Sequence, residues 1–204
     1  MIISAGPATE KTGHAQILDS PIFPYLLRAA DLQKDRFSCR EEPGGFALPL
    51  KSLRGRLVEL SSSRPSACLS SSCSLLLEAQ QNSASVVWIS ITRDHFYPPD
   101  LAANGVDLSV LPVFWAPDIR GAIQAADQLA RTGAFGLLVI DLYRNARLPA
   151  SLQVRLACLA QQNGCAVCFL TVKPETAASL GSMISLYARV SRNRGEPPPA
   201  SIIA

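Results

Sequence analysis

The sequence predicts an α/β domain with a mainly parallel central sheet. Three observations carry that expectation. Apolar, β-branched strands alternate with helical stretches from about residue 56 onward. Two runs, "FGLLVIDL" (135–142) and "CAVCFLTV" (165–172), are apolar without a break, as suits strands covered on both faces. Finally, glycine or proline stands at the boundaries where helices should start and stop.

Taken in order, residues 1–44 read as a partly irregular arm, 45–194 as the core domain and 195–204 as a proline-rich tail. Within the arm, only "YLLRAADLQKDRF" (25–37) has apolar spacing suited to a helix, and "EEPGGFALPLKSL" (41–53) reads as a loop leading into the core. "RLVEL" (56–60) is the first core strand, "LSSSCSLLLEAQQN" (69–82) a helix and "SVVWISI" (85–91) the second strand. The stretch 93–109 contains Pro98 and Pro99 and reads as loop with one helical turn, before a short strand, "LPVFWA" (111–116).

Asp118 is placed to cap a helix over "DIRGAIQAADQLARTG" (118–133), in which Ile123, Ala126 and Leu129 share one face and Gly133 ends the run. A strand over 135–142 ends in aspartate. "PASLQVRLACLAQQNG" (149–164) is a helix with Pro149 early and Gly164 last, followed by strands at 165–172 and within "MISLYARVSRN" (183–193).

Composition narrows the function classes. With 204 residues and 48% hydrophobic content, the chain can bury one sizeable core. Its formal net charge of +3 is too small to imply nucleic-acid binding by itself. The charge is uneven, however: from Tyr143 onward seven basic residues face two acidic ones, which leaves the first 142 residues net negative. No apolar run reaches the roughly 20 residues of a membrane span, and a cytoplasmic protein with reduced thiols is expected.

The segment "RGRLVELSSSRPSACLSSSCSLLLEAQ" (54–80) has the strand, loop and helix context of a phosphate-binding loop without its glycines and lysine. From Leu57 to Asp141 the chain resembles the RecA-type ATPase core. "LVEL" (57–60) and "EAQ" (78–80) bracket the loop region, and "GVDLSVLPVFWAPDIRGAIQAADQLARTGAFGLLVIDL" (105–142) resembles the run that ends in the Walker B strand. The resemblance implies a RecA-like three-layer core.

It also places Ser62 and Ala67 where the loop glycines stand, Cys68 at the lysine, and Leu69 and Ser70 at the hydroxyl residues. A thiol cannot replace an ammonium, Leu69 cannot ligate magnesium, and Pro65 removes an N–H donor from the cradle. The expectation is a pseudo-ATPase with no cofactor, no bound metal and no catalytic residue. Asp141 falls on the Walker B aspartate, where it could hold a metal or simply cap the following turn. Near the place of the family's catalytic glutamate the chain offers Thr92, Arg93 and Asp94, and Thr171 stands near its sensing glutamine.

Arg144 and Arg147, after the Walker B-like strand, and Arg189, Arg192 and Arg194, in the basic last strand, are candidate DNA or partner contacts. Among RecA-like proteins the resemblance points to ImuA-type accessory proteins of bacterial mutagenic translesion synthesis and, more distantly, to SulA-type division inhibitors. It implies action through protein partners, RecA-like or Y-family-polymerase-like, in the DNA-damage (SOS) response, with self-association as a further candidate. The alternatives are an ATPase with an atypical phosphate loop and a division inhibitor.

Two other motifs compete. "CAVC" (165–168) matches the spacing of a zinc or redox pair, but two further ligands are missing and a buried strand explains it. The serines of 61–74 lack a G-x-S-x-G elbow, and only His14 and His95 could serve as a base. In "RDHFYPPD" (93–100), Phe96 and Tyr97 offer either an exposed recognition surface or packing against the domain.

Overall fold

The computed structural model describes residues 49–94, 96–143 and 146–190, together with the backbone of two short strands at 26–28 and 201–202. The remainder of the arm, His14, His95, Arg144, Arg192, Arg194 and most of the tail therefore lie outside the described residues.

Eight strands form one sheet. They are β1 (Leu26–Arg28), β2 (Leu57–Ser62), β3 (Val86–Ser90), β4 (Pro112–Trp115), β5 (Leu137–Asp141), β6 (Ala166–Val172), β7 (Leu186–Arg189) and β8 (Ser201–Ile202). Their spatial order is β1-β4-β3-β5-β6-β2-β7-β8. The six inner strands are mutually parallel, and β1 and β8 close the edges antiparallel. The helices are α1 (Leu50–Leu53), α2 (Pro65–Gln81), α3 (Pro98–Ala103), α4 (Ile119–Arg131) and α5 (Ala150–Asn163), with a 3₁₀ turn at Leu108–Val110.

The expected α/β, mainly parallel, three-layer domain is observed, and side-chain alternation explains the layers. Val58, Leu60, Trp88, Val139, Cys168 and Leu170 pack on one face with α1, α2 and α3. Leu57, Ile89, Ile140, Val167 and Phe169 pack on the other with α4 and α5. Every residue of β5 is consequently buried, which is why its sequence carries no polar alternation before Asp141.

The α4 start matches the expectation closely: Asp118 Oδ1 accepts the Gly121 N–H at 2.7 Å. Gly164 ends α5 at φ +62°, a left-handed conformation that glycine adopts without cost. In place of the single turn expected over 93–109 there are two, α3 and the 3₁₀ turn: Pro98 and Pro99 sit at the start of α3, where their missing N–H groups cost nothing, and Asp107 caps the 3₁₀ turn by accepting the Ser109 N–H.

Two expectations need correction. Leu26–Arg28 is not helical but pairs with β4 in the register Leu26↔Phe114, satisfying an edge whose N–H and C=O groups would otherwise be open. The helix expected from Leu69 instead starts at Pro65, which carries helical φ and lacks an N–H at a position that needs none.

Candidate functional site

In open α/β sheets, ligands bind beyond the carboxyl ends of the strands where neighbouring connections leave toward opposite faces. Here that place lies at the ends of β2, β5 and β6: β2 leads into α2 on one face, and β5 leads toward α5 on the other. Asp141, Cys68 and Thr171 meet there.

The early start of α2 leaves a shorter connection after β2 than the sequence suggests. Only Ser63 and Arg64 separate Ser62, the last residue of β2, from Pro65. Ser62 Oγ accepts the Arg64 N–H at 3.0 Å, which tightens the turn. Ala67 and Cys68 belong to the first turns of α2 and are buried, Leu69 is half-buried and Ser70 is exposed. The Cys68 thiol is directed at the carbonyls of Thr171 (3.5 Å) and Leu60 (3.7 Å). Burial, followed by the nearby Asp141 carboxylate, pushes its pKa up to about 12, so it stands in the crevice as a neutral thiol.

What remains is a cavity of about 10 Å³, lined by Cys68, Leu69, Asp141, Tyr143, Thr171 and Val172. This is room for about one water molecule.

Asp141 ends β5 as the sequence implies and is only 4% exposed. Burial raises its pKa from 3.8 to about 6, opposed by hydrogen bonds from the Ser90 hydroxyl and the Tyr143 backbone N–H. The Ser90 hydroxyl is shared between Asp141 (3.3 Å) and the Thr92 carbonyl (2.8 Å). Tyr143 takes φ +54°, which turns the chain sharply away from β5. Asp141 therefore takes the capping role that the sequence offered, receiving the N–H of the turn it ends, and its carboxylate also lines the crevice.

Thr92, whose carbonyl shares the Ser90 hydroxyl with Asp141, is followed by the two other residues offered near the place of a catalytic glutamate. Asp94 is exposed and engaged with Thr92 in a local turn. Arg93 is also exposed, its guanidinium 5.6 Å from the centre of the Trp115 ring. Phe96 packs between Trp88 (5.1 Å) and Trp115 (5.8 Å), so of the two aromatics only Tyr97 is exposed.

Of the candidate contact residues, Arg147 is exposed beyond β5. Arg189 is half-buried, donating to the Ala177 carbonyl at 3.1 Å with its guanidinium 5.7 Å from the Tyr187 ring centre. Cys165 and Cys168 face opposite sides of the sheet, as residues three apart near and within a strand must, so they cannot converge on one metal. Among the described residues no group of three His, Cys, Asp or Glu side chains could hold a metal ion. Ser71 and Ser72 donate to the carbonyls of Ala67 and Leu69 within their own helix.

The most elaborate polar arrangement has no counterpart in the sequence reading. Glu59, in the middle of β2, is completely buried. Its Oε1 accepts from Thr171 Oγ1 (2.7 Å) and pairs with Lys173 Nζ (2.5 Å), while its Oε2 accepts from Ser179 Oγ (2.9 Å) and the Leu180 N–H (2.8 Å). Lys173 also donates to the Ala178 carbonyl at 2.6 Å and stands 5.0 Å from the Tyr187 ring centre. The signal is present as one glutamate inside an apolar strand and one lysine directly after another. Their partnership depends on a β2–β6 register that joins residues more than a hundred positions apart.

No protein-family model matches the chain, and a search of curated proteins returns no match. Among the described residues no helix is long and apolar enough to cross a membrane.

Proposed function

We propose that the chain is a nucleotide-free, RecA-like accessory protein that acts by binding protein partners in the bacterial DNA-damage response, in the manner of translesion-mutagenesis accessory proteins. The observation that carries the nucleotide-free half is the filled crevice. The turn of α2 that begins at Pro65 lies where a phosphate cradle would wrap, and Cys68 and Leu69 close the remaining space to about 10 Å³. The cradle, the cation and the metal-holding hydroxyl are lost together. What supports the DNA-damage half is the sequence resemblance between Leu57 and Asp141, and the exposed Arg147 beyond β5 offers a partner or DNA contact.

Each half has its own experiment. Isothermal titration of the full chain with ATP and Mg²⁺ should give no saturable heat, and saturable binding abolished by Asp141→Ala would establish an atypical ATPase instead. Affinity capture from DNA-damaged bacterial cells should recover a polymerase-like or RecA-like protein. Recovery of cell-division components, with filamentation on overexpression, would replace this reading with that of a division inhibitor.

A further inference from the structure

We propose that residues 174–185 form a strap, latched across the β2–β6–β7 end of the sheet by the buried Glu59–Lys173 pair, and that this strap opens and closes as a unit without unfolding the domain. The proposal is independent of the nucleotide and DNA-damage reading. The strap connects β6 to β7, and Leu180 is its only fully buried apolar side chain; Pro174, Glu175, Thr176, Ala178, Ser182 and Met183 are exposed. So little apolar burial holds a segment of this length weakly.

Polar ties supply the rest. Ala177 and Ala178 give their carbonyls to Arg189 and Lys173, Ser179 and Leu180 donate to Glu59, and the Met183 N–H donates to Gln153 Oε1 at 3.1 Å. Three of those five ties end on Glu59 or Lys173, and two more join the Ser185 N–H (2.9 Å) and hydroxyl (3.0 Å) to the Leu57 carbonyl where the strap meets β7. Gln153 Nε2 in turn donates to the Leu148 carbonyl at 2.6 Å, which joins the strap to the loop that leaves β5. Gly181 packs against the Gln153 amide so closely that a β-carbon there would collide with it.

A buried ion pair suits a latch better than an apolar anchor. Closed, each charge is satisfied by its partner and by hydrogen bonds; open, each is rehydrated, and that hydration offsets part of the attraction between them. Removing one partner leaves the other charge buried and uncompensated, which drives the strap open. Opening frees the Arg189 guanidinium from Ala177 and releases the tie between the strap and the β5–α5 loop.

Hydrogen exchange on the full chain tests this. In the wild type, the Leu180 and Met183 amides should exchange at least about tenfold faster than those of Val139 and Phe169 in the sheet, with little dependence on denaturant. Lys173→Met should accelerate the strap amides by on the order of a hundredfold and the globally exchanging sheet amides by no more than that, so the strap remains the faster-exchanging unit. The double variant Glu59→Gln/Lys173→Met should restore part of the protection. Ser179→Ala removes one donor without stranding a charge and should accelerate the strap severalfold while leaving it faster than the sheet, so the prediction survives if Lys173→Met fails to fold. Strap and sheet amides exchanging together in the wild type, or strap amides unmoved by Ser179→Ala, would overturn the proposal.

Discussion

Two buried polar regions flank β2 and β6 on opposite faces of the sheet, and they treat polarity in opposite ways. The crevice around Asp141 has one carboxylate facing a thiol, a leucine and a cavity the size of one water. The neighbouring network gives the Glu59 carboxylate a lysine, two hydroxyls and a backbone N–H. The first occupies the place where open α/β sheets bind ligands, yet the space there is filled and its acid is pushed toward neutrality. The second has a full set of partners and holds a connection in place. A buried charge is tolerable only when paired and hydrogen-bonded, and the two regions show the two outcomes: a pKa shift where partners are few, a retained ion pair where they are many.

The largest effect should come from breaking the paired region. Lys173→Ala should lower stability by about 3 kcal/mol, because Glu59 loses its counter-ion and is rehydrated only at the expense of the strap's contacts. Glu59→Gln/Lys173→Met should cost clearly less than the sum of the two single changes. Urea unfolding followed by far-UV circular dichroism measures both, and additive costs would mean that the two groups are not energetically coupled.

Asp141 should behave in the opposite sense. Its pKa in the folded chain, about 6, lies above the ordinary 3.8, so the native state binds the extra proton. Stability should therefore fall as pH rises from about 4 to 6, by up to about 3 kcal/mol, and stay lowered above that window. Asp141→Asn should abolish this slope, matching the wild type near pH 4 and exceeding it at pH 7.5. An Asn variant that is less stable at pH 7.5 would mean that the ionised carboxylate is better solvated than its surroundings indicate.

The sheet and its layers are legible in the sequence for a simple reason. Runs such as 137–140 and 86–89 have few soluble alternatives to a doubly covered strand, and Asp118 and Gly164 announce helix ends through local backbone chemistry. Asp141 is legible because it ends such a run. The start of α2 is not, because Pro65 reads equally as a loop breaker or a first helical residue, and the choice depends on the packing of Ala67 and Cys68 beneath the helix. Leu26–Arg28 reads as helical because a three-residue strand has no periodicity of its own, and it exists through pairing with β4. The Glu59–Lys173 pair is illegible because neither residue carries a local pattern that names its partner.

Placing a lysine at position 68, where the resemblance to RecA-type loops would put one, sharpens the account of the crevice. Cys68→Lys should give no saturable ATP binding, since the turn of α2 still fills the cradle. The longer side chain should also cost about 1–3 kcal/mol through overpacking. Saturable binding by this variant alone would show that the missing cation, and not the filled loop, is what excludes nucleotide.

The smallest effect belongs to charges that are neither buried nor scarce in partners. Asp127 on α4 pairs with Arg131 on the same helix (2.9 Å) and with Arg155 on α5 (2.5 and 2.8 Å), and both arginine side chains are about half exposed. Partial burial would raise the Asp127 pKa, but those two guanidinium groups outweigh it and hold the carboxyl below the ordinary carboxylate range. Solvent and salt screen such contacts, so Asp127→Asn should cost no more than about 1 kcal/mol, and less at 1 M salt than at 0.05 M. Because its pKa is lowered, the contribution should be present near pH 7 and disappear as pH falls through the folded-state value. The Lys173 variants, whose pair is shielded from ions, should keep most of their deficit in the same salt series. Equal salt sensitivity in the two sets would mean that water reaches the Glu59 network, and that burial does not separate these two kinds of ion pair.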